Sequence, residues 1–222
     1  MSKIRIAVLV SGGGTNLQAV IDQIERGNIP AVIEMVISNR KDAYALERAR
    51  RHGIESIYIG SKNFPNLKER NYRLEKILEE RKIDLIILAG YMQILEGHII
   101  EKYRNRIINI HPSLIPSFCG QGFYGEYVHR AVLEYGVKLT GATVHFVDEG
   151  ADTGPVILQK AVEVQEEDTV ESLAKRVLTL EHELLPLAVK LFAEGRLMVE
   201  GRKVRIKGGY SIGETGFNQC IR

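Results

Sequence analysis

Asn109-Ile110-His111-Pro112-Ser113 sets an amide and an imidazole two residues apart. On an extended chain both side chains project to one face, while Ile110 turns into the packing. An amide donor beside an imidazole can stabilise an oxyanion and move a proton. A strand end with a hydrogen-bonded histidine is the plainer reading of the same residues. Pro112 helps fix the exit of the chain. A carboxylate, Asp152, lies further on in Asp148-Glu149-Gly150-Ala151-Asp152-Thr153-Gly154-Pro155, a loop shaped by glycines and a proline. Beside His111 it would favour the imidazolium and raise its pKa. As a solvated turn residue it would do neither.

A different chemistry belongs to Ser11-Gly12-Gly13-Gly14-Thr15-Asn16. Backbone free of side chains that opens a helix favours an anion, phosphate above all. The alternative is a tight turn that only needs glycine. It is a poor dinucleotide fingerprint, because Leu17 stands at the third glycine position and Ser38-Asn39-Arg40 ends the next strand without an acid. Arg40 keeps a reductase that reads a 2′-phosphate in play. His145 reads as a hydrogen-bonding support on its strand, and His52, His98, His129 and His182 are given no role. Ser113 lacks the flanks of a nucleophile elbow, and Cys119 has no base beside it. The sequence contains no metal-ligand spacing, and no metal is expected.

Alternating strands and helices position these groups. Apolar Ile4–Val10 runs into the glycines, and Leu17, Val20, Ile21 and Ile24 follow at helical spacing. Strands are then expected at 31–37, 56–59, 85–88 and 106–110, with helices at 43–51, 67–81 and 96–103 between them. That rhythm predicts an α/β, Rossmann-like, doubly wound and mostly parallel sheet, with helices on both faces of a single domain. Polar clusters at Ser11–Asn16, Gly90–Gln93, Asn109–Ser113 and Asp148–Gly154 each follow a strand, so all four are expected on one edge of the sheet. Residues 111–125 form a long glycine-bearing stretch, and its part 117–125 is expected to act as a lid over the cleft. A helix over 126–135, strands near 143–147 and 156–164, and a long leucine-rich helix follow. Asp168 and Glu171 are expected to cap that helix, and Pro186 to kink or divide it. A hairpin around Gly201 precedes a weakly ordered tail, 209–222, beyond a domain spanning 1–208.

Composition sets the remaining limits. The 222 residues are 45% hydrophobic and 26% charged, which excludes disorder. Thirty Lys and Arg against 28 Asp and Glu leave a net charge of +2, which argues against bulk nucleic-acid binding. Two cysteines make no disulfide framework, so a reducing, cytoplasmic home is expected without a secretory signal or membrane span.

Taken together, Val10–Gln18, Ala89-Gly90-Tyr91-Met92, Asn109–Pro116, Gly141–Asp148 and Asp152-Thr153-Gly154-Pro155 resemble the phosphoribosylglycinamide formyltransferases, folate-dependent enzymes of purine synthesis. The resemblance runs from Lys3 to Gly208. It implies transfer of a formyl group from 10-formyltetrahydrofolate to glycinamide ribonucleotide, with no metal, in a monomer or homodimer. It implies a catalytic trio of Asn109, His111 and Asp152. Gly14, Thr15, Asn16 and Glu181 would bind the ribonucleotide. Met92, Gln93, Ile94, Leu95, Asn109, Asp148, Glu149, Gly150, Ala151 and Asp152 would bind the folate. Gln93 stands where many members carry arginine, and Lys68 or Arg70 would supply a folate contact that the family makes with arginine. A 10-formyltetrahydrofolate deformylase is the nearest alternative. Methionyl-tRNA formyltransferase fits less well, and a non-catalytic phosphate or nucleotide binder has no need of the trio.

Overall fold

The computed structural model describes residues 3–209, so most of the expected weak tail lies outside the described residues. Nine strands form one sheet in the order β3-β2-β1-β4-β5-β6-β7-β9-β8. The strands are β1 Ile4–Val10, β2 Ala31–Ser38, β3 Glu55–Tyr58, β4 Leu85–Ala89, β5 Ile107–His111, β6 Leu139–Phe146, β7 Val156–Glu163, β8 Leu197–Glu200 and β9 Lys203–Ile206. The helices are α1 Thr15–Glu25, α2 Tyr44–Arg51, α3 Leu67–Glu80, α4 Gly97–Lys102, α5 Glu126–Tyr135 and α6 Val170–Ala193. From β3 to β5 every neighbouring pair is parallel, while β5–β6, β6–β7 and β8–β9 are antiparallel.

The doubly wound architecture follows from strands buried on both faces. In β1, Ile6, Val8 and Val10 join a core shared with α1, α2, α5 and α6. Ala7 and Leu9 turn the other way, into a core shared with α3 and α4. All five are fully buried, as a central parallel strand requires.

One local expectation is corrected and another narrowed. The cap of α6 is Thr169, whose hydroxyl accepts the Ser172 N–H, with the Ser172 hydroxyl returning to the Thr169 N–H. Asp168 instead accepts from Ser172 Oγ and grips the Arg176 guanidinium, which holds its carboxyl well below the usual range. Pro186 does not divide α6, which runs unbroken over 24 residues. An interior proline costs about 3 kcal/mol. The burial of Leu184, Leu185, Leu187, Val189 and Leu191 around it is large enough to offset that.

Candidate active site

The parallel strands deliver the loops after β1, β4 and β5 to one edge of the sheet. Ser11, directly after β1, ties this edge together. Its hydroxyl donates to Asn39 Oδ1 at 2.6 Å and accepts the Met92 N–H at 2.8 Å. The loops after β1, β2 and β4 therefore share one buried hydroxyl.

Asp152 arrives by another route. β6 is antiparallel to β5, with His111 opposite Thr143 and Ile108 opposite Phe146. The carboxyl end of β6 thus lies toward the start of β5, away from the edge the sequence suggests. The loop after β6 bends back to correct this. Asp148 Oδ1 accepts from Thr153 Oγ1 at 2.5 Å and from the Gly150 N–H at 3.2 Å. Gly154 passes so close to β6 that a Cβ would stand 1.8 Å from the Phe146 carbonyl oxygen. Asp152 itself is left-handed, at φ +57°.

The bend brings the trio together. Asp152 Oδ2 lies 3.5 Å from His111 Nδ1, and Asn109 Nδ2 donates to Asp152 Oδ1 at 3.4 Å. His145 is the support the sequence suggests. Its Nδ1 faces the Phe146 carbonyl at 2.8 Å, which makes that nitrogen the protonated one. Its Nε2 lies between Asn109 Nδ2 at 3.1 Å and Asp152 Oδ1 at 3.5 Å. The long loop is anchored to the same groups. His111 Nε2 faces the Phe118 carbonyl at 2.9 Å, and the Gly120 N–H donates to Asp152 Oδ2 at 2.9 Å. The Phe118 ring packs edge-on against Phe123 and Tyr135.

Both nitrogens of His111 face acceptors, an arrangement that only the charged ring satisfies. Burial opposes that charge more strongly, and His111 lies below the ordinary histidine value. This corrects the expectation of a raised pKa: Asp152 does push upward, but against a larger opposing push. For Asp152, burial pushes the pKa upward, but the two histidines and the Gly120 N–H together outweigh it, so the carboxyl lies below its usual range. His129, given no role from sequence, is buried near His111 with Nδ1 unpartnered, and burial lowers its pKa. Only the fold reveals this neighbour, because His129 sits on an unremarkable helical pattern.

The glycine loop forms the other side. Gly14 caps α1 at φ +74°, and a Cβ there would stand 2.6 Å from Ala45 Cβ. Gly12 and Gly13 are exposed, and Thr15 and Asn16 half-buried. Asn16 Nδ2 donates to Glu181 Oε2 at 2.6 Å, joining two residues far apart in sequence. Burial pushes the Glu181 carboxyl up to about 7.

The expected folate residues divide. Met92 and Ile94 are 51% and 82% exposed, and Gln93 is half-buried. Leu95 is buried in the α3–α4 core, so its side chain is unavailable to a ligand. Glu149 pairs with Arg104 at 2.7 Å, and Gly150 and Ala151 are exposed. Lys68 is exposed in the first turn of α3. Arg70 instead turns inward, donating to the Phe64 carbonyl at 3.2 Å near the half-buried Tyr91. Among the described residues no group of His, Cys, Asp and Glu is placed to hold a metal ion, and no helix is long and apolar enough to cross a membrane.

An amide, an imidazole and a carboxylate meet at the edge of a Rossmann-like sheet that also carries the glycine loop. The chain belongs to the formyl transferase family, whose model matches residues 4–189. It is 41% identical to the phosphoribosylglycinamide formyltransferase of Haemophilus influenzae, covering 92% of this chain and 94% of that protein. The fold matches glycinamide ribonucleotide transformylase 1 of Symbiobacterium toebii at a TM-score of 0.87 and 50% identity, over 92% and 94% of the two chains. The human trifunctional purine biosynthetic protein adenosine-3 is 44% identical over 89% of this chain, which spans only 19% of that protein's length. A formyltetrahydrofolate deformylase of Pseudomonas syringae shares the fold at a TM-score of 0.84, with 26% identity over 92% of this chain and 66% of that one.

Proposed function

We propose that the protein transfers the formyl group of 10-formyltetrahydrofolate to the amino group of glycinamide ribonucleotide, a step of de novo purine biosynthesis, in the cytoplasm and as a monomer or homodimer. The observation that carries this reading is the convergence of Asn109, His111 and Asp152 within 3.5 Å contacts, with an anion loop on the same edge. Gly14, Thr15 and Asn16 hold the phosphate, and Glu181 contacts the same substrate. The folate lies along Met92–Leu95 and Asp148–Asp152, with Lys68 reaching its outer end.

The substrate amine attacks the formyl carbon, and the carbonyl π pair moves to oxygen. Asn109 donates to that oxyanion, displacing its 3.4 Å contact with Asp152. His111 stabilises the same charge, because a nearby anion offsets the burial that keeps the ring neutral at rest. A proton leaves the attacking nitrogen, the C–N bond to the folate breaks, and the folate nitrogen takes up a proton. The products are formylated ribonucleotide and tetrahydrofolate. Asp152 holds His111 and draws the long loop inward through the Gly120 N–H.

The deciding experiment follows tetrahydrofolate release from 10-formyltetrahydrofolate with and without glycinamide ribonucleotide. Release that depends on the amine is expected. Equal release without it refutes the transferase and favours the deformylase.

A further inference from the structure

Glycine peptides flip at little steric cost, so Ser11–Asn16 could present either amides or carbonyls to the cleft. Nothing within the loop itself selects the amides. The choice is made largely from α2, which packs behind it. The Gly12 carbonyl accepts the Ala45 N–H at 3.1 Å, and the Gly13 carbonyl accepts Arg48 Nε at 2.8 Å. The Gly14 carbonyl accepts the Gln18 N–H at 3.0 Å as α1 begins. In a trans peptide the N–H points opposite to the carbonyl. Holding the Gly12 and Gly13 carbonyls toward α2 therefore turns the Gly13 and Gly14 N–H groups away from it.

Of these three anchors, only the one at Gly13 is a side chain. Arg48 is itself held in place. Its Nη1 donates to Gln18 Oε1 at 3.2 Å, and its guanidinium lies 5.1 Å from the centre of the Tyr44 ring. Gln18 in turn donates to Asp22 Oδ1 at 2.8 Å. An arginine fork gripping one carbonyl and one helix side chain ties the glycine loop and α1 to α2, near the point where Gly14 meets Ala45.

We propose that Arg48 is a positioning residue for the anion site: by holding the Gly13 carbonyl it sets the peptide whose N–H meets the phosphate. Arg48 acts through backbone and not by touching substrate. The inference rests on the proposed phosphate-binding role of the loop.

The test compares wild type with Arg48→Met and Arg48→Lys, using inorganic phosphate as the probe. Loss of one charge-assisted hydrogen bond should weaken phosphate binding, and raise the KM for the ribonucleotide, about tenfold. The folate KM and kcat at saturating ribonucleotide should stay within about twofold, since the trio is untouched. Amide hydrogen exchange at residues 12–16 should accelerate in Arg48→Met with no phosphate present. Arg48→Lys keeps the charge but not the fork, and should restore only part of each loss. Should Arg48→Met fold poorly, Gln18→Met removes the second anchor and should shift the same readings less. Unchanged phosphate affinity overturns the proposal. So does weaker binding with unchanged exchange and full rescue by lysine, which would mean charge alone. A wild type that binds no phosphate sinks the phosphate reading instead, while the exchange comparison still decides whether Arg48 holds the loop.

Discussion

At the glycine loop the chain offers backbone, and at Asn109, His111 and Asp152 it offers side chains. The first region is open: Gly12 and Gly13 have no atom within 4 Å of an added Cβ. Its carbonyls are tied back, those of Gly12 and Gly13 to α2 and that of Gly14 to the start of α1. The second region is closed, with every group of the trio already engaged by a protein partner before any substrate arrives. The difference teaches where tolerance lies. A backbone site depends on dihedral angles and on what packs behind it, and a side-chain site depends on chemical identity.

The largest effects should come from the side-chain region. Asn109→Ala, His111→Ala and Asp152→Asn should each lower kcat by about 100- to 1,000-fold, the usual loss for one oxyanion-stabilising group. Asparagine tolerates the left-handed angle at 152, so that variant separates charge from strain. A double variant should lose little more than a single one, because the three act as a unit. Near-normal turnover in any two of the three would break the contrast between the regions.

Gly14→Ala probes the backbone region. The left-handed angle costs about 1–2 kcal/mol for alanine. The contact with Ala45 adds about 1–3 kcal/mol of overpacking. Denaturant unfolding should show that loss, and the KM for the ribonucleotide should rise while kcat falls far less than in the trio variants. A kcat loss as large as theirs would erase the distinction.

Glu181→Gln tests the one carboxylate on the backbone side. The folded pKa of about 7 lies above the ordinary 4.5, so the native state holds an extra proton between those values. Stability from this group is therefore full below about pH 4.5, declines as pH rises, and is spent above about pH 7. At pH 8 Glu181→Gln should be more stable than wild type by up to about 3 kcal/mol, and at pH 4 nearly equal. The buried, unpartnered Asn16 Oδ1 offers the new amide an acceptor. Equal stability at both pH values, measured by denaturant titration, would show that Glu181 reaches water.

Much of this was legible in the sequence, for physical reasons that also mark where reading stops. The parallel half alternates strand and helix locally, so Ser11–Asn16, Met92 and Asn109–His111 could be placed at their edge from periodicity. Asp152 could be named but not delivered, because strand direction is decided by pairing between distant segments. His111 was misjudged in charge, since burial is a property of the whole fold. The resemblance offers Arg70 beside Lys68 as a folate contact, yet Arg70 points inward to the Phe64 carbonyl, a direction that helical spacing alone does not give. Arg48 and His129 carried no signal, because both lie in ordinary amphipathic helices and act only across a gap between elements.

Gly154 carries a consequence for how this loop can vary over evolutionary time. A Cβ there would lie 1.8 Å from a main-chain oxygen, and a strand backbone cannot swing aside as a side chain would. Every single substitution at this position must therefore move the loop that carries Asp152. Ala151, exposed next to Asp152, is free to drift. A lineage can thus rewrite the surface of the loop one residue at a time while its path stays fixed. Escape to a different path needs a coordinated change in β6, a far rarer event than a point mutation.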